Sequence, residues 1–322
     1  AAARRAIESH LARIGAAGTV KDGLFLSTYK VEYVIPNSPL VSILIPNKDH
    51  ADDLKKALTS IFTKTAYPHY EVLVLENNST EPETFAYYKK IEHKYANLRV
   101  CHYQGDFNFS AINNFGRKAA KGDYLLLLNN DIEVINAAWL TEMLALCVQP
   151  HVGAVGAKLY YPDDTVQHAG VVVGLGGYAG HSHKYARRGA GGYMFRLGTV
   201  QDFSACTAAC LLVKASVYDA VGGLDEGFAV AFNDVDFCLR IRDAGYYIAY
   251  TPYAELYHHE SKSRGLDEKD ATKRTRFDSE RDRLKQRYGD ALLHDPYYNP
   301  NLTLDREDFS ESDALPKEEF PA

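Results

Sequence analysis

Residues 119–131 read AAKGDYLLLLNND, and this stretch decides the fold class. A helical pattern around 110–120 leads into the apolar run 124–128, which ends abruptly in Asn129-Asn130-Asp131. A run of that length without polar alternation suits a strand buried on both faces, the habit of a parallel sheet covered by helices.

The same unit recurs on the N-terminal side. Residues 41–45 form a second apolar run ending at Pro46, and a helix with Leu54, Ala57, Leu58 and Ile61 on one stripe follows. Residues 72–75 form a third run, closed by Glu76-Asn77-Asn78-Ser79-Thr80, then a helix near 83–95 and a short strand at 98–102. Strands alternating with helices at this spacing imply an α/β protein with a mainly parallel sheet. Ligands of such sheets bind beyond the carboxyl ends of the strands, so Asp49, Glu76 and Asp131 are expected to converge on one crevice.

The flanks read differently. Residues 1–39 form an arm: Ile7, Leu11 and Ile14 at helical spacing, a stop at Gly15 and Gly18, an alternating strand at 29–35, and a break at Pro36 to Pro39. Beyond Pro150 the chain is glycine-rich and β-like, with strands expected at 152–159, 171–173 and 210–213 and a flexible loop over the crevice at 174–198. Within that loop, residues 174–179 (GLGGYA) fit a dinucleotide fingerprint, but the polar, glycine-rich continuation offers no helix to hold a pyrophosphate. Residues 261–288 are highly charged and mostly helical, and 296–300 begin a tail.

Composition narrows the partners. The 322 residues are 46% hydrophobic and 24% charged with a formal net charge of −6, a globular balance that argues against nucleic acid. No apolar run approaches the ~20 residues of a membrane-spanning helix. Five cysteines, an odd number without a C-x-x-C pair, fit a reducing, cytoplasmic setting, with Cys206 and Cys210 as small packing residues. The start lacks both a secretion signal and an initiating Met, so a piece of a longer polypeptide is expected.

Three groups of residues could carry chemistry. Asp131, beside two asparagines at a strand end, offers hard oxygen ligands for Mg²⁺ or Mn²⁺, or simply a turn and helix cap. Asp234 and Asp236 stand two apart at a helix start, so one can face a pocket while the other caps or pairs with Arg240 or Arg242. His258 and His259, with Ser261, Ser263 and Arg264 nearby, suit a metal or a diphosphate, or else a solvated helix start.

Together these segments resemble the family-2 glycosyltransferases of GT-A fold. The resemblance rests on residues 41–46 (VSILIP), 72–80 (VLVLENNST), 119–131, 222–240 (GGLDEGFAVAFNDVDFCLR) and 258–265 (HHESKSRG), in that order. The arm and residues 297–308 (YYNPNLTLDRED) resemble the bacterial branch that builds surface polysaccharides or protein-linked glycans, often within multidomain chains. It implies a Rossmann-like sheet flanked by helices at 40–265, preceded by the arm (1–39) and followed by a charged helical extension (266–322).

It also implies roles. Pro46, Asp49, Glu76, Asn114, Asn129, Asn130 and Arg264 would bind the nucleotide, with Asp49 and Glu76 at the base and ribose. Asp131 and His258 would hold Mn²⁺ or Mg²⁺, and Asp234 would be the general base of an inverting transfer. The donor would be a nucleotide sugar (UDP-glucose or UDP-N-acetylglucosamine, with dTDP-rhamnose compatible) and the acceptor a glycan or glycoprotein. The enzyme would work in the cytoplasm or peripherally at the inner membrane face, with arm and tail available to pair subunits. The sequence departs from the family at Asn129, Asn233 and Glu76, where it often has Asp, Glu and Asp. Those asparagines leave room for a degenerate domain that only binds glycans or scaffolds a partner. A nucleotidyltransferase is disfavoured, because residues 46–50 contain no glycine for a phosphate loop.

Overall fold

The computed structural model describes residues 2–259 and 271–312. The arm comprises α1 (Ala2–Ile14) and a hairpin of β1 (Gly18–Asp22) and β2 (Tyr29–Tyr33). The alternating unit then runs β3 (Val41–Asn47), α2 (Ala51–Lys64), β4 (Tyr70–Glu76), α3 (Pro82–Lys94), β5 (Leu98–His102), α4 (Phe109–Ala119) and β6 (Tyr124–Leu128). Strands β6, β3, β4 and β5 lie side by side, all parallel.

Successive side chains of these strands enter opposite cores, which is why their sequences do not alternate. Leu44, Leu73, Leu75, Leu125 and Leu127 pack with Phe109 and Ile112 of α4. Ile43, Ile45, Val72, Val74, Leu126 and Leu128 pack with Leu54 and Leu58 of α2 and Tyr88 and Ile91 of α3. The α4 contact is close: a Cβ on Gly116 would lie 2.6 Å from Leu75 Cδ1.

Past β6 the sheet becomes mixed. The chain continues through β7 (Ile132–Val134), α5 (Trp139–Cys147), β8 (Val152–Tyr160), β9 (Val166–His168), β10 (Val171–Val173), β11 (Ala179–His181), β12 (Gln201–Phe203), β13 (Cys210–Lys214), α6 (Ala215–Ala220), α7 (Asn233–Asp243), β14 (Tyr247–His258) and α8 (Ala271–Tyr288). Strand β13 inserts antiparallel between β6 and β8, β14 lies parallel to β8, and β12 forms the edge. The α/β class and the parallel half agree with the sequence reading; the mixed half follows from antiparallel return strands that short apolar runs do not distinguish from parallel ones.

One expectation is corrected. Residues 174–198 are not a loose loop: β10 pairs with β11, Gly176 N–H bonds Leu304 O, and His183 N–H bonds Glu307 O. Buried His183 stacks on Phe309, with ring centroids 4.2 Å apart. The glycines that suggested mobility serve positive-φ turns at Gly174, Gly176 and Gly177. Among the described residues, no helix is long and apolar enough to cross a membrane. All five cysteines are unbridged, and Cys206 and Cys210 lie in the two cores.

Candidate active site

A cleft of about 440 Å³ opens at the carboxyl ends of β3 and β6. Pro46, Asn47, Asn129, Asn130 and Asp131 line it, with Lys48, His50 and Asn77 from the neighbouring loops. Asn130 Nδ2 donates to Asn47 Oδ1 at 2.7 Å, tying the two strand ends together.

Sheet register brings His258 to this place from far along the chain. The end of β14 pairs antiparallel with β7, setting His258 opposite Ile132, and His259 N–H bonds Asp131 O. His258 Nε2 then stands 3.2 Å from Asp131 Oδ1 and 3.1 Å from Asn129 Nδ2. The adjacent His259 turns away to Glu133, at 3.1 Å.

Both Asp131 and His258 are 8% exposed, and their arrangement fits a hard divalent cation. His258 Nδ1 lies 2.7 Å from Gln167 Oε1. A carbonyl oxygen only accepts, so it selects the Nδ1–H tautomer and leaves the Nε2 lone pair facing Asp131. This is the outer-shell support usual for a metal-binding histidine. Among the described residues no group of three or more His, Cys, Asp or Glu could cage a metal. Two protein ligands, with the remainder from phosphate and water, is the pattern of Mg²⁺-type nucleotide sites.

Asp49 and Glu76 reach the same end of the sheet, but their carboxylates are engaged. Asp49 accepts from Thr80 N–H at 2.7 Å and Glu81 N–H at 2.9 Å. Partial burial would raise its pKa, but those two amides and Thr80 Oγ1 outweigh it and lower the carboxyl. Buried Glu76 accepts from Ser79 N–H, Ser79 Oγ and Tyr88 OH. Neither lines the cleft; their neighbours Lys48, His50 and Asn77 do.

Asn114 does not stand in the cleft wall either. Its Oδ1 accepts from Tyr218 OH and Leu224 N–H, and its Nδ2 donates to Leu224 O and Glu226 Oε1. The amide is spent holding the turn at 222–226, a use that its place on a helix face does not reveal. Arg264, with Ser261 and Ser263, lies outside the described residues.

That turn leads to Asp234, in the first turn of α7. Asp234 Oδ2 accepts from Ala208 N–H at 3.1 Å, and Oδ1 from Val235 N–H at 2.8 Å. Ala209 O in turn receives Asn129 N–H, so one short segment, 208–209, joins the candidate base to the strand end bearing Asp131. Phe232 just before it has φ 60°, a left-handed conformation that only firm surroundings maintain in a bulky residue. Its neighbour Asp236 is fully buried and pairs with Arg240 at 2.8 Å and Arg287 at 2.5 Å, so Asp236 is the member that pairs.

Sequence reasoning expected a charged helix here, observed as α8, but missed its part in the site. Its Lys273 and Arg276 line the cleft. Farther along, Glu280, 4% exposed, accepts from the N–H groups of Ala229, Val230 and Ala231 at 2.8, 3.1 and 2.7 Å. Arg283 and Arg287 bind Asp225. Burial would raise Asp225, but Gly227 N–H and the two guanidinia hold it at about 2. The signal was present as a run of alternating charge, which reads equally well as a solvated helix face.

Strand ends, the end of β14 and helix α8 together bring a carboxylate, an imidazole and several cations to one cleft, at the end of the sheet where α/β proteins bind their ligands. The chain belongs to glycosyl transferase family 2, whose sequence profile matches residues 42–208, just over half of the chain. It is 47% identical over 310 residues to the uncharacterized protein y4gI of Sinorhizobium fredii, covering 96% of this chain and 34% of that one. It is 40% identical over 303 residues to the O-antigen biosynthesis protein RfbC of Myxococcus xanthus, covering 93% and 23% respectively. The chain thus spans only about a third and a quarter of these relatives. The structure of the mannosyltransferase PcManGT from Pyrobaculum calidifontis, in complex with GDP-Man and Mn²⁺, aligns with TM-score 0.58 at 17% identity. That alignment covers 81% of this chain and 67% of that one. The shared fold is GT-A, in agreement with the sequence reading.

Proposed function

We propose that this chain is an inverting, metal-dependent hexosyltransferase moving a sugar from a nucleotide diphosphate donor to a glycan acceptor. The observation that carries the reading is the Asp131–His258 pair in a cleft that also presents Lys48, Lys273 and Arg276. Two metal-type ligands and three cations around one space suit a diphosphate with its divalent ion. Pro46, Asn129 and Asn130 line the nucleotide's place; Asp49 and Glu76 brace the loops that shape its base and ribose end. Arg264 is retained as a phosphate ligand on the resemblance alone.

Mn²⁺ or Mg²⁺ bound by Asp131 and His258 would neutralise charge on the departing diphosphate. The acceptor oxygen attacks the anomeric carbon and its proton passes to the Asp234 carboxylate. The bond from that carbon to the diphosphate oxygen breaks, and its electron pair leaves with the nucleoside diphosphate. One base opposite the leaving group makes this a single displacement, which inverts the anomeric centre. UDP-glucose and UDP-N-acetylglucosamine lead as donors on the resemblance, with dTDP-rhamnose compatible. The myxobacterial relative's O-antigen role supports a surface-polysaccharide acceptor, and a glycoprotein acceptor fits the same chemistry. Unbridged thiols support a cytoplasmic site of action, and the longer relatives support a multidomain chain.

Calorimetric titration of UDP, and then dTDP, with and without Mn²⁺ tests the site. Metal-dependent binding that disappears in Asp131→Ala is expected. Binding of neither nucleotide in any condition would favour a non-catalytic scaffold instead. Retention of the donor's anomeric configuration in the product would exclude the single displacement.

A further inference from the structure

We infer that the protein carries a second saccharide-binding site, separate from the transfer cleft. A groove of about 510 Å³ lies where the edge strand β12 meets residues 193–196 and 296–309. Three strands separate β12 from β6, whose end bears Asp131; four interstrand spacings set the two roughly 19 Å apart across the sheet. The groove shares no lining residue with the cleft.

Two of its side chains offer a ligand opposite chemistry, one donating and one accepting. The Arg196 guanidinium is sandwiched 4.9 Å from the Phe203 ring centroid and 5.5 Å from that of Phe309. Its Nε is buried without a hydrogen-bond partner. The Asp202 carboxylate, on the exposed side of β12, makes no hydrogen bond or ion pair with the described residues, Arg196 included. Arginine can only donate and an ionised carboxylate can only accept. A simple anion such as phosphate would satisfy Arg196 but be repelled by Asp202, and a cation the reverse. Hydroxyls both donate and accept, so a polyhydroxylated ligand satisfies both.

The remaining lining supplies the other half of such recognition. Tyr193 and Tyr297 are half-buried, and Tyr193 stacks on Phe309 with ring centroids 5.5 Å apart. Tyr297 is backed by the Arg242 guanidinium 5.2 Å from its ring centroid, which fixes a flat apolar surface at the groove. Rings beside a few polar groups are the make-up of a small-ligand site, and a sugar presents C–H faces to rings and hydroxyls to Arg196 and Asp202. The distance from the cleft assigns the groove to a glycan chain held during or between transfers rather than to the donor.

The test is binding to a printed array of bacterial surface glycans, with any hit measured by saturation-transfer NMR. Wild-type protein retains at least one glycan, and Tyr297→Ala and Asp202→Ala each weaken it roughly tenfold. Arg196→Met, which keeps the packing between the two phenylalanines, does the same. UDP titration in the presence of Mn²⁺ is unchanged in all three, so this site and the transfer cleft succeed or fail separately. No retention anywhere on the array overturns the proposal. So does retention that survives all three substitutions or is displaced by UDP, which would place the glycan in the cleft.

Discussion

Asp131 and Asp234 are placed by different means. Asp131 follows a strand whose position is set by ladders to β3 and β13, and His258 reaches it by the register of β14 on β7. Backbone carries that geometry. Asp234 stands at a helix start tied to Ala208, after a loop whose amides are held by one carboxylate 51 residues beyond Ala229. Side chains carry that geometry. The difference teaches that the fold around the metal-type corner should tolerate substitution, whereas single side-chain changes should unseat the Asp234 corner.

The largest effect should come from Asp234, the proposed base. Asp234→Asn is expected to lower kcat by ~10²–10⁴-fold while nucleotide affinity stays near wild type. A raised KM with unchanged kcat would assign that carboxylate to binding instead.

Acid should act next, on residues 166–198 rather than on the parallel strands. Burial, reinforced by Arg196 and Lys158, lowers His183 to about 4, and burial lowers His168 as well. Both are harder to protonate folded than unfolded, so their stability is complete above the ordinary histidine pKa near 6.5 and is lost as pH falls below it. For His183 the window runs down to about 4, worth about 3 kcal/mol in all. Hydrogen exchange at pH 5 should therefore open residues 166–198 before β3–β6. In His183→Gln the fall in urea midpoint between pH 6.5 and 4 should be shallower. Simultaneous opening of both regions would erase the contrast.

Glu280→Ala should cost roughly 1–3 kcal/mol, the range for buried donors deprived of an acceptor. It should speed amide exchange at 229–234 and lower kcat, with UDP binding retained. Glu280→Gln, which can still accept, should recover part of both; equal losses in the two variants would deny the carboxylate its loop-holding role. The smallest effect on the fold should fall on the backbone-built corner. Gln167→Leu removes the brace on His258 and should weaken Mn²⁺ binding by ~10–100-fold, with exchange in β6 and β14 unchanged.

The sequence by itself determined the α/β class, the parallel strands β3, β4 and β6, and the polar strand ends bearing Pro46, Asn129, Asn130 and Asp131. Those features are local: an apolar run, its helix stripe and its terminating polar residues lie within a few positions of one another. Tertiary structure alone decided that His258 rather than His259 faces Asp131, that Asn114 supports a turn instead of the cleft, and that α8 sends Lys273 and Arg276 into the cleft and Glu280 to the base loop. Each of these depends on a contact between distant segments, such as the 129 positions from Asn129 to His258. A one-residue shift of strand register would reverse the outcome without altering local composition.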